Sequence, residues 1–196
     1  MAKRHVLALL AASAISVPAF AADTGGYLVG MFGQTKVKDI DTTGLGNPSK
    51  DDTDTGFKIG GGYAFNRNFA VEAAYVDLGK TKASGTFAGS NASATFKASG
   101  LVVAAVGMVP LSQQFSLLGR LGLINATVKV DATLGNASGS DKSTDMKTTF
   151  GVGASYSFTP KFAVRADYDV YQKLGDNATT GESDVNMLSV GVVYKF

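Results

Sequence analysis

The 196-residue sequence predicts an all-β fold: an eight-stranded antiparallel transmembrane β-barrel with short periplasmic turns and long extracellular loops. Apolar residues alternate with small or polar ones at period two, the connections alternate between long and short, and aromatic residues flank the short connections. Composition agrees, with 24 Gly, 12 Phe and 7 Tyr, and no stretch of helical periodicity.

Residues 1–21 read as a secretory signal: Lys3, Arg4 and His5 form a basic start, Val6 to Val17 an apolar run, and Ala19 and Ala21 an A-x-A cleavage site, with cutting after Ala21 or Ala22. Residues 22–196 are the barrel domain. Losing Lys3 and Arg4 leaves 16 basic residues against 16 acidic ones, so nothing attracts nucleic acid. With no cysteine, and its one histidine in the leader, the mature chain has no thiolate metal site and no cysteine or histidine catalysis. Nothing after residue 21 is apolar for long enough to span a membrane as a helix.

Eight runs read as strands, at 26–37, 55–65, 68–79, 95–109, 115–130, 146–158, 161–173 and 185–196. In the fourth, Leu101 to Val106 is apolar on both faces and its facing stays open. The sixth sets Phe150, Val152, Ala154, Tyr156 and Phe158 against Gly151, Gly153, Ser155 and Ser157. The seventh sets Phe162, Val164, Ala166, Tyr168 and Val170 against Ala163, Arg165, Asp167 and Asp169. The last sets Leu188, Val190, Val192, Tyr194 and Phe196 against Ser189, Gly191, Val193 and Lys195.

Long polar segments at 38–54, 80–94, 131–145 and 174–184 alternate with tight links at 66–68, 110–114 and 159–161. Pro110 and Pro160 sit in the links and Pro48 in a long segment, so no strand loses a ladder hydrogen bond. Phe65, Phe69, Phe115, Phe158, Phe162 and Phe196 form an aromatic girdle at the turn end, with Phe57, Phe96 and Phe150 expected at the other.

A soluble lipocalin-type barrel would show the same alternation with the apolar face inward and a solvated face rich in Lys and Glu. Here the polar face holds mainly Gly, Ala and Ser, such as Gly60, Gly62, Ala74 and Gly122, which suits a narrow lumen. Its charges are Lys58, Glu72, Arg120, Arg165, Asp167 and Asp169, three of each sign. Facing lipid at the midplane, Arg120 or Arg165 would cost about 2–4 kcal/mol, so both point inward. They read either as neutralised pairs plugging the barrel or as a salt-bridge gate for small ions. Asp167 and Asp169 form the one carboxylate pair open to catalysis and are read as structural, so no enzyme and no cofactor is expected. Asp39, Asp41, Asp51, Asp52 and Asp54 lack the spacing of a calcium loop and read as a solvated acidic segment; no metal site is expected.

The runs Asn68 to Gly79, Pro110 to Gly122 and Phe158 to Tyr168, and the terminal Gly191 to Phe196, resemble the eight-stranded outer-membrane barrels of the OmpA and OmpX type. The resemblance implies a Gram-negative outer membrane. It also implies that Val192, Tyr194 and Phe196 form the terminal signal read by the barrel-assembly machinery. The sequence stops at Phe196 with no Pro-rich linker and no peptidoglycan-binding domain, which implies a stand-alone, monomeric barrel. Its expected partners are outer-membrane lipid, lipopolysaccharide and extracellular molecules met by the loops. The expected role is envelope integrity and surface interaction, with a narrow porin-like channel as the alternative.

Overall fold

A computed structural model describes residues 24–38, 46–87, 90–135, 137–176 and 181–196. The expected leader lies outside them. The strands are β1 (Gly25–Val37), β2 (Gly46–Asp51), β3 (Thr53–Ala64), β4 (Phe69–Phe87), β5 (Ser90–Pro110), β6 (Phe115–Leu134), β7 (Ala137–Ser157), β8 (Phe162–Asp176) and β9 (Gly181–Lys195). From β3 to β9 each strand pairs antiparallel with the next, and β1 pairs with both β3 and β9. β2 pairs with β4 beyond the β3–β4 ladder, so β2 and β3 share one stave and eight staves close the ring. Closure along the common ladder leaves no open edge there, the condition for a sheet to cross lipid, while the upper part of β7 runs on without a ladder partner on its β8 side among the described residues.

The apolar face points outward. Leu28, Phe32, Ile59, Leu121, Val152, Leu188 and Val190 are exposed, while Ala70, Ala74, Ala163, Arg165, Asp167 and Ser189 are buried inside. This excludes the lipocalin arrangement. The facing of β5 is resolved too: Leu101, Val103 and Ala105 look outward, and Ala104 and Val106 are buried inside.

Three sequence expectations need correction. Phe96 shares the inward phase of Ala104 and Val106 and pairs with Val130, so it is not in the second girdle. Phe57 and Phe150 are exposed there, and Tyr75 joins them with its ring 6.0 Å from that of Phe57. Pro48 lies within β2, between Gly46 and Ser49, where the register slips and the missing N–H is tolerated, and Pro110 is the last residue of β5, opposite Ser116, rather than part of the link. The polar segments 80–94 and 131–145 are mostly ladder, because β4 to β7 run on as ribbons to Phe87, Ser90, Leu134 and Ala137. Toward their tips both faces of the ribbons meet water, as over 131–135 and 137–142, so the alternation that marks a strand disappears from the sequence there.

The tight turns share one device. Asn66 Oδ1 accepts the N–H groups of Asn68 and Phe69 at 2.8 and 2.9 Å. Ser112 Oγ does the same for Gln114 and Phe115 at 3.2 and 3.0 Å, and Thr159 Oγ1 for Lys161 and Phe162 at 3.3 and 2.9 Å. A short polar side chain thus closes each turn on the aromatic that opens the next strand.

Candidate functional site

The six inward charges come from four strands: Lys58 from β3, Glu72 from β4, Arg120 from β6, and Arg165, Asp167 and Asp169 from β8. The barrel gathers all six into one layer. Asp167, 1% exposed, is its hub: one carboxylate oxygen lies 3.1 Å from Lys58 Nζ, 2.8 Å from Arg120 Nη2 and 3.1 Å from Arg165 Nε. Asp169 takes Lys58 at 2.8 Å and Arg120 at 2.7 Å. Glu72 holds Arg165 bidentately at 2.5 and 3.0 Å and meets Arg120 at 3.4 Å. Each cation thus touches at least two carboxylates, the condition under which buried charge is tolerated.

Composition did not single out Tyr27. Its hydroxyl donates to Glu72 Oε1 at 2.8 Å, and the readable signal is its inward phase with Val29 and Met31. The small inner residues are the space these side chains occupy. A Cβ on Gly62 would lie 2.4 Å from Tyr27 Cζ, and one on Gly153 would lie 2.3 Å from Asp167 Oδ1.

Above and below the charges the lumen is apolar, a feature the small-residue pattern hid. On the turn side Tyr27, Val29, Met31, Ala70, Val106, Ala163 and Val193 pack together. On the ribbon side Val76, Leu78, Ile124, Val128, Tyr171, Leu174 and Met187 do the same. A space of about 20 Å³ remains beside Lys58, Glu72, Arg120, Asp169, Thr149 and Tyr171, room for about one water.

Val192, Tyr194 and Phe196 share the outward phase at the end of the chain, where the Tyr194 ring lies 5.4 Å from that of Phe196 and 5.0 Å from that of Phe162. In the acidic segment, Asp39 and Asp41 fall outside the described residues. Asp54 spends its carboxylate on backbone, accepting the N–H of Lys80 at 2.6 Å and of Thr55 at 2.7 Å.

Residues 7–196 match the family described as the outer membrane protein beta-barrel domain. Outer membrane protein A of Salmonella typhi is 32% identical over 139 residues, covering 69% of this chain and 38% of that protein. Its counterpart in Serratia marcescens is 32% identical over 158 residues, 78% of this chain and 42% of that protein. The chain therefore spans less than half the length of these relatives. In fold it is similar to the attachment invasion locus protein Ail of Yersinia pestis, with a TM-score of 0.58 at 20% identity over 88% of this chain and 99% of that one. Neisserial surface protein A gives 0.56 at 18% identity over 88% of this chain and 97% of that one. With its closed barrel and lipid-facing apolar wall, the chain belongs to the outer membrane protein β-barrel family and is an integral protein of the Gram-negative outer membrane.

Proposed function

We propose that the protein is an envelope scaffold that supports the outer membrane and meets external partners through its polar ribbons, and that it does not act as a pore. The carrying observation is the stacking of the lumen. The paired charges lie between two packed apolar clusters, so moving a salt bridge alone opens no path for ions. The test is single-channel conductance of the refolded chain in planar bilayers, with folding checked by a heat-dependent gel shift. Folded protein is expected to be silent.

The second reading is a narrow porin-like channel gated by the lumen salt bridges. It is favoured by the position of Arg120 against all three carboxylates, which offers alternative pairings. Discrete steps altered by Arg120→Ala or Arg165→Ala would establish it and sink the scaffold reading.

Val192, Tyr194 and Phe196 are assigned as the signal for the barrel-assembly machinery, supported by their outward phase on the closing strand. Phe196→Ser is expected to lower the amount inserted in cells while leaving refolding into detergent intact. Equal insertion would remove the assignment.

A further inference from the structure

Four lysines stand directly opposite one another across adjacent strands: Lys80 of β4 pairs with Lys97 of β5, Lys97 with Lys129 of β6, and Lys129 with Lys142 of β7. All four are exposed on the outward face. Like charges directly opposite in a sheet repel. The protein offsets them only in part: Lys97 has Asp77 at 3.6 Å, Lys80 lies in the field of the Asp54 carboxylate that accepts its backbone N–H, and the ammonium groups of Lys129 and Lys142 form no ion pair among the described residues. The next row outward carries Asp51, Lys82 and Asp131, one step farther from the membrane.

Height identifies what covers the row. Reading up the same wall, the apolar face ends at exposed Leu101 and Met146, the next row is Ser99, Thr127 and Thr144, and the lysines follow. Four residues separate Leu101 from Lys97, roughly 13 Å along the strand, or roughly 10 Å in height for Lys97 once strands tilt by about 40°, and the same tilt makes the row climb roughly 3 Å from each strand to the next. That is head-group depth. With strands about 4.8 Å apart, the row is about 14 Å wide, enough to meet several anionic groups on one sugar framework.

We propose that the lysine row is a docking surface for the phosphorylated sugars of outer-leaflet lipopolysaccharide, and that this lipid neutralises a charge pattern the bare sheet leaves unbalanced. The proposal rests on the outer-membrane setting and holds whether the lumen is sealed or conducting.

The test titrates the full refolded chain in zwitterionic micelles with lipopolysaccharide, with its dephosphorylated form and with inorganic phosphate. Lys97→Gln/Lys129→Gln/Lys142→Gln is compared with Lys36→Gln/Lys38→Gln/Lys173→Gln on the opposite wall. The first variant is expected to lose at least about tenfold in affinity and all preference for the phosphorylated lipid, and the second to change less than about twofold. In micelles without lipopolysaccharide the row variant should melt higher than the parent, and the parent alone should gain on adding it. If the row variant fails the gel-shift test of folding, Lys129→Gln, flanked by lysine on both sides, carries the comparison with a loss of about fivefold. Equal losses in both variants, equal binding of both lipids by the parent, or displacement by millimolar phosphate would each overturn the proposal.

Discussion

The hydroxyl of Tyr27 reaches from β1 over Gly62 of β3 to the carboxylate of Glu72 on β4, so one hydrogen bond ties three neighbouring staves at the charge layer. Tyr27→Phe keeps the ring in place and removes only the donor. Glu72 retains its fork with Arg165, so the expected cost is about 1–2 kcal/mol. Urea unfolding of the refolded barrel measures it, and an unchanged midpoint would deny the bond a role in stability.

Asp167→Asn removes the charge that Lys58, Arg120 and Arg165 share. Uncompensated buried cations should cost about 3–5 kcal/mol. Adding Arg120→Met restores the balance of charge at similar length, so the double variant should recover part of that loss. A double variant weaker than the single one would contradict the picture of a balanced layer.

Gly153→Ala drives a methyl to within 2.3 Å of Asp167 Oδ1 and should cost about 1–3 kcal/mol by overpacking. Gly119→Ala, on the lipid face with nothing within 4 Å of the added carbon, should change stability by less than about 0.5 kcal/mol. The contrast is read from unfolding midpoints of the two variants under one condition.

Asp54, at the outer end of β3, pins the irregular stretch of β4 between Asp77 and Lys80. The N–H groups of Lys80 and Thr55 hold its carboxyl below the usual carboxylate range. A depressed pKa adds stability that is fully present above the unfolded value of about 3.9 and disappears as pH falls through the folded one. Acid should therefore loosen this corner, and Asp54→Asn should abolish that part of the pH dependence. Amide exchange at Lys80 between pH 6 and 3 reports it.

Some of this was plain in the sequence and some was not, for physical reasons. Arg165, Asp167 and Asp169 alternate with Val164, Ala166 and Tyr168, and a charge barred from lipid fixes the facing of the whole strand. Leu101 to Val106 gave no facing because the lumen there is as apolar as the lipid: Val106 packs in the turn-side layer and Val102 against the ribbon-side one. Phe96 was misplaced for the same want of contrast. The ribbon residues of β5 to β7 read as loops because water on both sides demands no period. The shared turn device was readable in Asn66, Ser112 and Thr159, each three residues before a phenylalanine, but its meaning needed the geometry.

The layered lumen also bears on how the molecule is assembled. Lys58 and Glu72 are made early, while Arg165, Asp167 and Asp169 belong to the penultimate strand. Until β8 arrives, Lys58 has neither of its carboxylates and Glu72 lacks its bidentate arginine. A half-built sheet entering hydrocarbon would carry Lys58 unpaired, at a cost of several kcal/mol, and leave Glu72 with only Arg120 and Tyr27. Full neutralisation therefore needs β8, the neighbour of the strand that closes the β1–β9 seam, so a chain truncated before β8 cannot balance its own interior.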